Sequence, residues 1–408
     1  MEYTVTYITR TLEPVVRKAV EDFPAVVLSG PRQSGKTTLL KRLLGDRYRY
    51  VSMELPDVRA SASADPRGFL EINSPPVILD EIQYAPELLF YIKERIDADR
   101  SRKGQFVLTG SQNLLMMSQV TESLAGRSAI LKLLPLSLHE ISGISAADLP
   151  WEPGYTERKR PASLEQIWEQ FLRGGYPELA AEPERDPGLW YSGYVQTYLE
   201  RDVRSLRQVG DLTQFQSFLR VIAARSGQLL NLSDVSRDLG LAVNTAKSWL
   251  SILESTYQVV ILRPYFMNIG KRLVKTPKVY LTDVGMLCHL AGLRDHQHAQ
   301  AGPLSGAIVE TAVLSEIVKN SLHRGTDPQA YFWRTSNGVE VDIVVEQSGR
   351  LVPVEVKATS TPRPRMASGL LAFMRDYPDR VDTGWLVHLG GEVLPMAPGV
   401  TALPFAEM

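Results

Sequence analysis

The run from Ala25 to Leu40, AVVLSGPRQSGKTTLL, restricts this chain more than any other stretch. Ala25 to Leu28 is a short apolar segment bounded by glycine and proline, the pattern of a buried strand. Gly30-Pro31-Arg32-Gln33-Ser34-Gly35-Lys36-Thr37 follows with the spacing G-x-x-x-x-G-K-[ST], and Thr38-Leu39-Leu40 opens a helix. Gly30 and Gly35 let the backbone reverse so that its N–H groups converge on a phosphate. The helix N-terminus behind them adds partial positive charge. At this spacing Lys36 reaches the β- and γ-phosphates, and the Thr37 hydroxyl ligates magnesium. Residues 30 to 38 are therefore expected to hold a nucleoside triphosphate, ATP, with Mg2+ on an α/β core.

Two acids stand where such a loop needs them. Val77-Ile78-Leu79 leads into Asp80-Glu81, as a central parallel strand would when its carboxyl end lies beside the phosphate loop. Asp80 is assigned to the magnesium hydration shell, and Glu81 to orienting or deprotonating the attacking water. Gln105 to Thr109 reads as another buried strand, with Gly110-Ser111-Gln112-Asn113 at the same sheet edge. A polar side chain there would contact the γ-phosphate or the water, Ser111 ahead of Asn113. Glu122 to Arg127 closes a helix with Gly126 as its cap, and Ala129 to Leu134 forms a last strand. Arg127 sits on the rim, where it would stabilise charge on a neighbouring subunit's nucleotide.

Composition narrows the class. A chain of 408 residues suggests two or three domains at about 150 residues each. With 44% hydrophobic and 22% charged residues it has material for a substantial core. Its formal net charge of −1 means that affinity for nucleic acid would have to come from a local patch. The single cysteine, Cys288, excludes an internal disulfide and a cysteine-based metal site. With no apolar run of about 18 residues and no signal-peptide profile, the expectation is a cytoplasmic protein without membrane contact.

These motifs strongly resemble the AAA-type ATPases of bacteria and archaea that carry a C-terminal domain of unknown function. Gly30 to Thr37, Leu79-Asp80-Glu81, Leu108-Thr109-Gly110-Ser111 and Leu124-Ala125-Gly126-Arg127 carry the likeness, with Phe171-Leu172-Arg173-Gly174-Gly175-Tyr176-Pro177-Glu178 and Tyr198 to Val203 further on. The resemblance implies that Ser111 is a sensor and Arg127 an arginine finger. It thereby implies a homo-oligomer, a ring such as a hexamer. No lid arginine matches the family's second sensor pattern.

Beyond residue 150 the chain reads as three further parts. Trp151 to Pro161 is a linker or flap rich in proline, glycine and charge. Leu164 to Leu172 and Leu189 to Gln208 are helical and would form a lid over the nucleotide. Phe215 to Ala224, a helix capped by Ser233 and ended by Gly240, and Asn244 to Glu254 precede paired strands at Tyr257 to Leu262 and Lys278 to Leu281, the order of a winged helix-turn-helix. Its third helix turns Asn244, Thr245, Lys247, Ser248 and Ser251 outward, and the wing adds Arg263, Lys271, Arg272, Lys275 and Lys278. Residues 200 to 280 hold 12 Lys and Arg against 6 Asp and Glu, the electrostatic footprint of a DNA contact.

The last part centres on a hairpin. Val339 to Glu346 alternates, with Glu340 and Asp342 on one face and Val341, Ile343 and Val345 on the other. Leu351 to Lys357 places Glu355 and Lys357 on one face. A turn centred on Ser348-Gly349 sets Asp342 opposite Glu355 and Glu340 opposite Lys357. Facing acids repel unless a cation lies between them. With Glu310 on the preceding helix, the pattern resembles the PD-(D/E)XK nucleases of the restriction-endonuclease-like fold. That likeness implies Glu310, Asp342 and Glu355 as magnesium ligands and Lys357 as catalytic lysine, although Gly338-Val339-Glu340-Val341 lacks the family's proline.

The expected architecture is thus an AAA-type P-loop core (1–150), a helical lid (151–210), a winged helix (211–282) and a nuclease-like α/β domain (283–408). Two functions fit: an ATP-hydrolysing, DNA-remodelling or DNA-processing ATPase, or an ATP-dependent regulatory switch of the defence or toxin–antitoxin type whose C-terminal half binds without cleaving.

Overall fold

A computed structural model describes residues 7–110, 123–144, 148–157, 162–198, 203, 211–266 and 276–408. Ser111, Asn113, Lys271, Arg272, Lys275 and residues 199–202 lie outside that set. Among the described residues no helix is long and apolar enough to cross a membrane.

The first half is built on a five-stranded parallel sheet in the order β2-β3-β4-β1-β5. Its strands are β1 (Ala25–Ser29), β2 (Arg49–Ser52), β3 (Val77–Asp80), β4 (Phe106–Gly110) and β5 (Ser128–Lys132). The apolar runs are continuous because both faces are covered. Val26 and Leu28 pack with Ile78, Val107, Leu39 and Leu43 on one side. Val27 packs with Leu79, Leu108, Leu88 and Ile92 on the other. The helix Glu13–Asp22 lays Val16 and Ala19 onto the first of these faces.

A nine-stranded sheet organises the second half, in the order β13-β14-β12-β11-β10-β9-β7-β8-β6. It contains β6 (Gln228–Leu229), β7 (Val259–Pro264), β8 (Lys278–Leu281), β9 (Ala330–Arg334), β10 (Glu340–Gln347), β11 (Arg350–Lys357), β12 (Gly384–His388), β13 (Leu394–Ala397) and β14 (Val400–Pro404). The expected pairing of β7 with β8 is present and antiparallel. β7 also pairs with β9, which joins the strands of the expected wing to the C-terminal domain in one sheet. One core runs from Leu134 through Trp168, Tyr191, Phe215, Trp249 and Ile308 to Met408. The divisions placed at 150, 210 and 282 all cut through it.

Two local expectations change. Asn231, rather than Ser233, caps the helix Leu232–Leu239, accepting from the Ser233 and Asp234 N–H groups. In the β9–β10 pairing the register shifts between Val341 and Val344. An extra residue at such a bulge turns the alternation over. Val341 and Val344 therefore pack on one face, and Ile343 and Val345 on the other.

Candidate nucleotide site and carboxylate cluster

The phosphate loop joins β1 to the helix Lys36–Leu44. Gly30 has φ 151°, Gln33 58° and Gly35 93°, and Gly35 takes the N-cap position. A side chain on Gly30 would collide with the Leu133 carbonyl, so glycine is required there by contact as well as by φ. Lys36 is buried, and its ammonium donates to the Gly30 and Pro31 carbonyls, both at 2.9 Å. It bridges the two carbonyls at the start of the loop. Arg32 approaches Glu54 at 3.7 Å and the Tyr84 hydroxyl at 3.4 Å. Ser34 is buried, whereas Gln33 and Thr38 are exposed.

Parallel pairing of β3 with β4 and of β4 with β1 brings the carboxyl ends of all three strands together. Thr37 Oγ1 donates to Asp80 Oδ2 at 3.0 Å, and Tyr50 donates to the same oxygen at 2.5 Å. Thr109 donates to the other oxygen, Oδ1. Glu81 follows in the left-handed conformation, φ 56° and ψ 49°. Such a backbone costs a non-glycine residue about 1–3 kcal/mol and is kept where the surroundings impose it. Here the Glu81 N–H donates to Thr109 Oγ1 at 3.1 Å, and Gln83 donates to the carboxylate. The sequence reading gave Tyr50, Thr109 and Gln83 no part in the site, although Thr109 was placed there at the end of a buried strand. Thr109, the last residue before Gly110-Ser111, was the one with a positional signal.

Arg127 stands at the opposite end of the sheet. Its carbonyl accepts from Ala25, the first residue of β1, which separates it from Gly30 by a strand of about 16 Å. Its guanidinium is held by Asp97, Nε and Nη2 donating at 2.8 and 2.9 Å. It cannot serve its own chain's phosphate loop from there.

On the helix Val243–Ser255, Ala246, Trp249 and Leu253 are buried, while Asn244, Lys247 and Ser251 are exposed. Thr245 and Ser248 are half-buried. Trp249 meets Phe215 and Phe218 edge-on at 5.2 and 5.6 Å, contacts worth about 0.5–1.5 kcal/mol each beyond burial. Part of the local positive charge is used internally. Arg225 pairs with Asp238, Arg237 with Asp234, and Lys278 lies inside.

The C-terminal hairpin has the expected turn. Ile343 pairs with Val354 and Gln347 with Arg350, so the same register brings Asp342 to Glu355. Asp342 Oδ2 accepts from the Val356 N–H at 2.8 Å. Two pairings differ from expectation. Lys357 donates to Glu355 at 2.5 Å. Glu340 instead meets Lys278 from β8 at 2.5 Å and Arg334 at 3.1 Å. Lys278 also donates to Glu310 at 3.0 Å, and Tyr280 donates to the same Glu310 oxygen. Burial first, and then the Asp342 carboxylate, push Glu310 up to about 7 and Glu355 up to about 8. Burial likewise raises Asp342. Glu355 Oε2 is buried with no hydrogen-bond partner, an orphan oxygen of the kind a cation would satisfy. Even so, Glu310, Asp342 and Glu355 do not close to one set of ligand atoms. Among the described residues, Glu165, Glu169 and His296 alone have such atoms within 4.8 Å of one another.

Comparison with known proteins places the chain in a family. Residues 22–142 match the AAA domain, 164–297 a domain of unknown function (DUF8612), and 305–408 another (DUF4143). The chain is 33% identical over 349 residues to uncharacterized proteins of Mycobacterium tuberculosis and Mycobacterium bovis, covering 85% of this chain and 73% of theirs. The chain belongs to the AAA-type ATPases with a C-terminal DUF4143 domain. An uncharacterized protein of Haemophilus influenzae is 22% identical to this ATPase over 385 residues, 88% of each chain. Among solved structures, a Walker-type ATPase of Pyrococcus abyssi overlaps 68% of this ATPase and 94% of its own chain, at TM-score 0.45 and 16% identity. A signal-transduction ATPase with a tetratricopeptide-repeat sensor from Pyrococcus horikoshii overlaps 77% and 49%, at TM-score 0.28 and 12% identity.

Proposed function

We propose that this protein hydrolyses Mg-ATP at the Gly30–Thr37 loop and uses the cycle to remodel or process DNA. The observation that carries the hydrolytic part is the convergence of Thr37, Asp80 and Glu81 at one edge of the parallel sheet. Bound there, magnesium would neutralise charge developing on the β- and γ-phosphates. Thr37 and Asp80 would hold its coordination shell, and Lys36 would bind the phosphate oxygens. Glu81, fixed by its backbone turn and by Gln83, takes a proton from the attacking water. Arg127, too far from its own loop, acts on a neighbouring subunit's nucleotide in a ring.

DNA contact rests on the outward row Asn244, Lys247 and Ser251, set on the third of three helices followed by paired strands, as in a winged helix. The experiment is DNA binding by the full chain across a salt series. Lys247→Ala is expected to weaken binding to every sequence and lower the salt slope by about 1. Unchanged binding would remove this helix from the interface.

A second reading is favoured by the clamp of Lys278 on Glu310 and Glu340. In it the carboxylate cluster, whose sequence pattern resembles a PD-(D/E)XK site, is closed by a lysine from the winged-helix part. The ATPase then works as a regulatory switch whose C-terminal half binds without cutting. DNA-indifferent, slow turnover would favour it.

A further inference from the structure

Arg10 precedes the first helix and carries no motif, yet it is 3% exposed and lies against the back of the phosphate loop. Its guanidinium makes three contacts. Nη1 donates to the Ser34 carbonyl at 2.8 Å, Nη2 donates to the Leu134 carbonyl at 2.7 Å, and Nε lies 3.3 Å from Glu140 Oε1. A trans peptide points its C=O and N–H in opposite directions. An arginine that draws the Ser34 oxygen backward therefore turns the N–H of Gly35 forward, away from Arg10. That N–H belongs to the set on which phosphate binding at such a loop depends.

Arg10 is itself held. Glu140 is fully buried and accepts from the Thr11 N–H at 2.7 Å and, through its other oxygen, from the Ser137 N–H at 3.0 Å. Burial alone would raise its carboxyl, but Arg10 and His323 outweigh burial and hold it well below the usual carboxylate range. His323, at the end of the helix Ser305–His323, is 1% exposed. Its Nδ1 lies 3.3 Å from Glu140, and its Nε2 accepts from the Leu134 N–H at 3.2 Å. Leu134 thus meets Arg10 through its carbonyl and His323 through its N–H. The chain of contacts Ser34–Arg10–Glu140–His323 runs unbroken from the phosphate loop into the part of the chain that matches DUF4143.

We infer that Arg10 is a positioning residue of the nucleotide site, turning the Gly35 N–H toward bound phosphate, and that Glu140 and His323 brace it from the C-terminal helix. Nucleotide affinity is then set partly by a residue of the C-terminal domain. The inference rests on nucleotide binding at the loop. A guanidinium is required because its fork reaches two carbonyls and a carboxylate at once, which an ammonium cannot.

The test is ADP binding by titration calorimetry and steady-state ATP hydrolysis on the full chain. Removing one buried charge alone leaves the other unpaired and endangers folding. The main variant is therefore Arg10→Met with Glu140→Gln, and Arg10→Lys serves as a second that keeps the charge. Both should bind ADP about tenfold more weakly. KM for ATP should rise in proportion while kcat stays near wild type, because the Gly35 contact is the same in ground and transition states. His323→Gln should weaken ADP binding in the same sense. Wild-type ADP affinity in a folded Arg10 variant would overturn the brace, and wild-type affinity in folded His323→Gln would overturn its C-terminal link. A wild-type chain that binds no ADP would instead refute the nucleotide site on which both rest.

Discussion

The Thr37 hydroxyl and the Asp80 carboxylate meet at 3.0 Å across the gap between the phosphate loop and β3. One residue comes from a helix start and the other from a strand end 43 positions later, and they are the pair proposed to share one magnesium ion. Tyr50 and Thr109 complete the hydrogen bonding of that carboxylate, so its orientation is set in advance.

Lys36 and Glu81 should therefore separate binding from chemistry. Lys36 meets phosphates in the ground state, whereas Glu81 acts on the attacking water. Lys36→Ala is expected to lose ATP binding. Glu81→Gln should keep it and lose turnover by two orders of magnitude or more, within the roughly 10²–10⁴-fold range of general acid–base groups. Equal loss of binding in both, measured with a fluorescent ATP analogue, would refute these roles.

Tyr50→Phe removes one hydrogen bond from Asp80 and leaves the phosphate loop itself unchanged. Groups that orient a metal's ligand usually change metal affinity by about 10–100-fold. The magnesium concentration for half-maximal hydrolysis should rise by about tenfold, with ADP binding in the absence of metal unchanged. An unchanged magnesium requirement would mean that Tyr50 only packs against Lys41, whose ammonium lies 3.8 Å from its ring centre.

Arg127→Ala should bind ATP but hydrolyse it slowly as a pure protein. Mixed with Lys36→Ala, it should recover activity, because some interfaces then join an intact loop to an intact Arg127. Under conditions where subunits exchange, absence of recovery would exclude action in trans.

The carboxylate cluster makes a separate prediction. Lys278→Met withdraws the ammonium from Glu310 and Glu340, so manganese should raise the melting temperature of that variant more than that of wild type. The measurement uses the full chain carrying Lys36→Ala, without nucleotide, so that the phosphate loop does not contribute. Adding Asp342→Asn should abolish the response. A melting temperature indifferent to manganese in Lys278→Met would rule out a cation among these acids.

The legible parts of this chain were the local ones. Gly30 to Thr37 and Leu79 to Glu81 each carry their chemistry within a few residues. The β10–β11 register followed from one turn at Ser348 and Gly349, both at positive φ. What stayed hidden depends on distant pairing. Lys278 reads as one more basic residue of a wing until β8 is seen beside Glu310 and Glu340. Arg10 has no pattern around it, and the partners of its guanidinium lie 24 to 130 positions away. The bulge after Val341 inverts an alternation that looks regular in the sequence.

The central claim is ATP turnover coupled to DNA, and the direct measurement is the steady-state ATPase rate of the full chain with no DNA and with single-stranded, duplex and branched DNA. The account predicts magnesium-dependent hydrolysis, lost in Glu81→Gln, that accelerates with at least one DNA form and returns toward the basal rate as salt rises. Hydrolysis at the same rate with every DNA form at low salt would contradict the coupling and favour the regulatory switch, and no hydrolysis under any condition would contradict the assignment of Glu81.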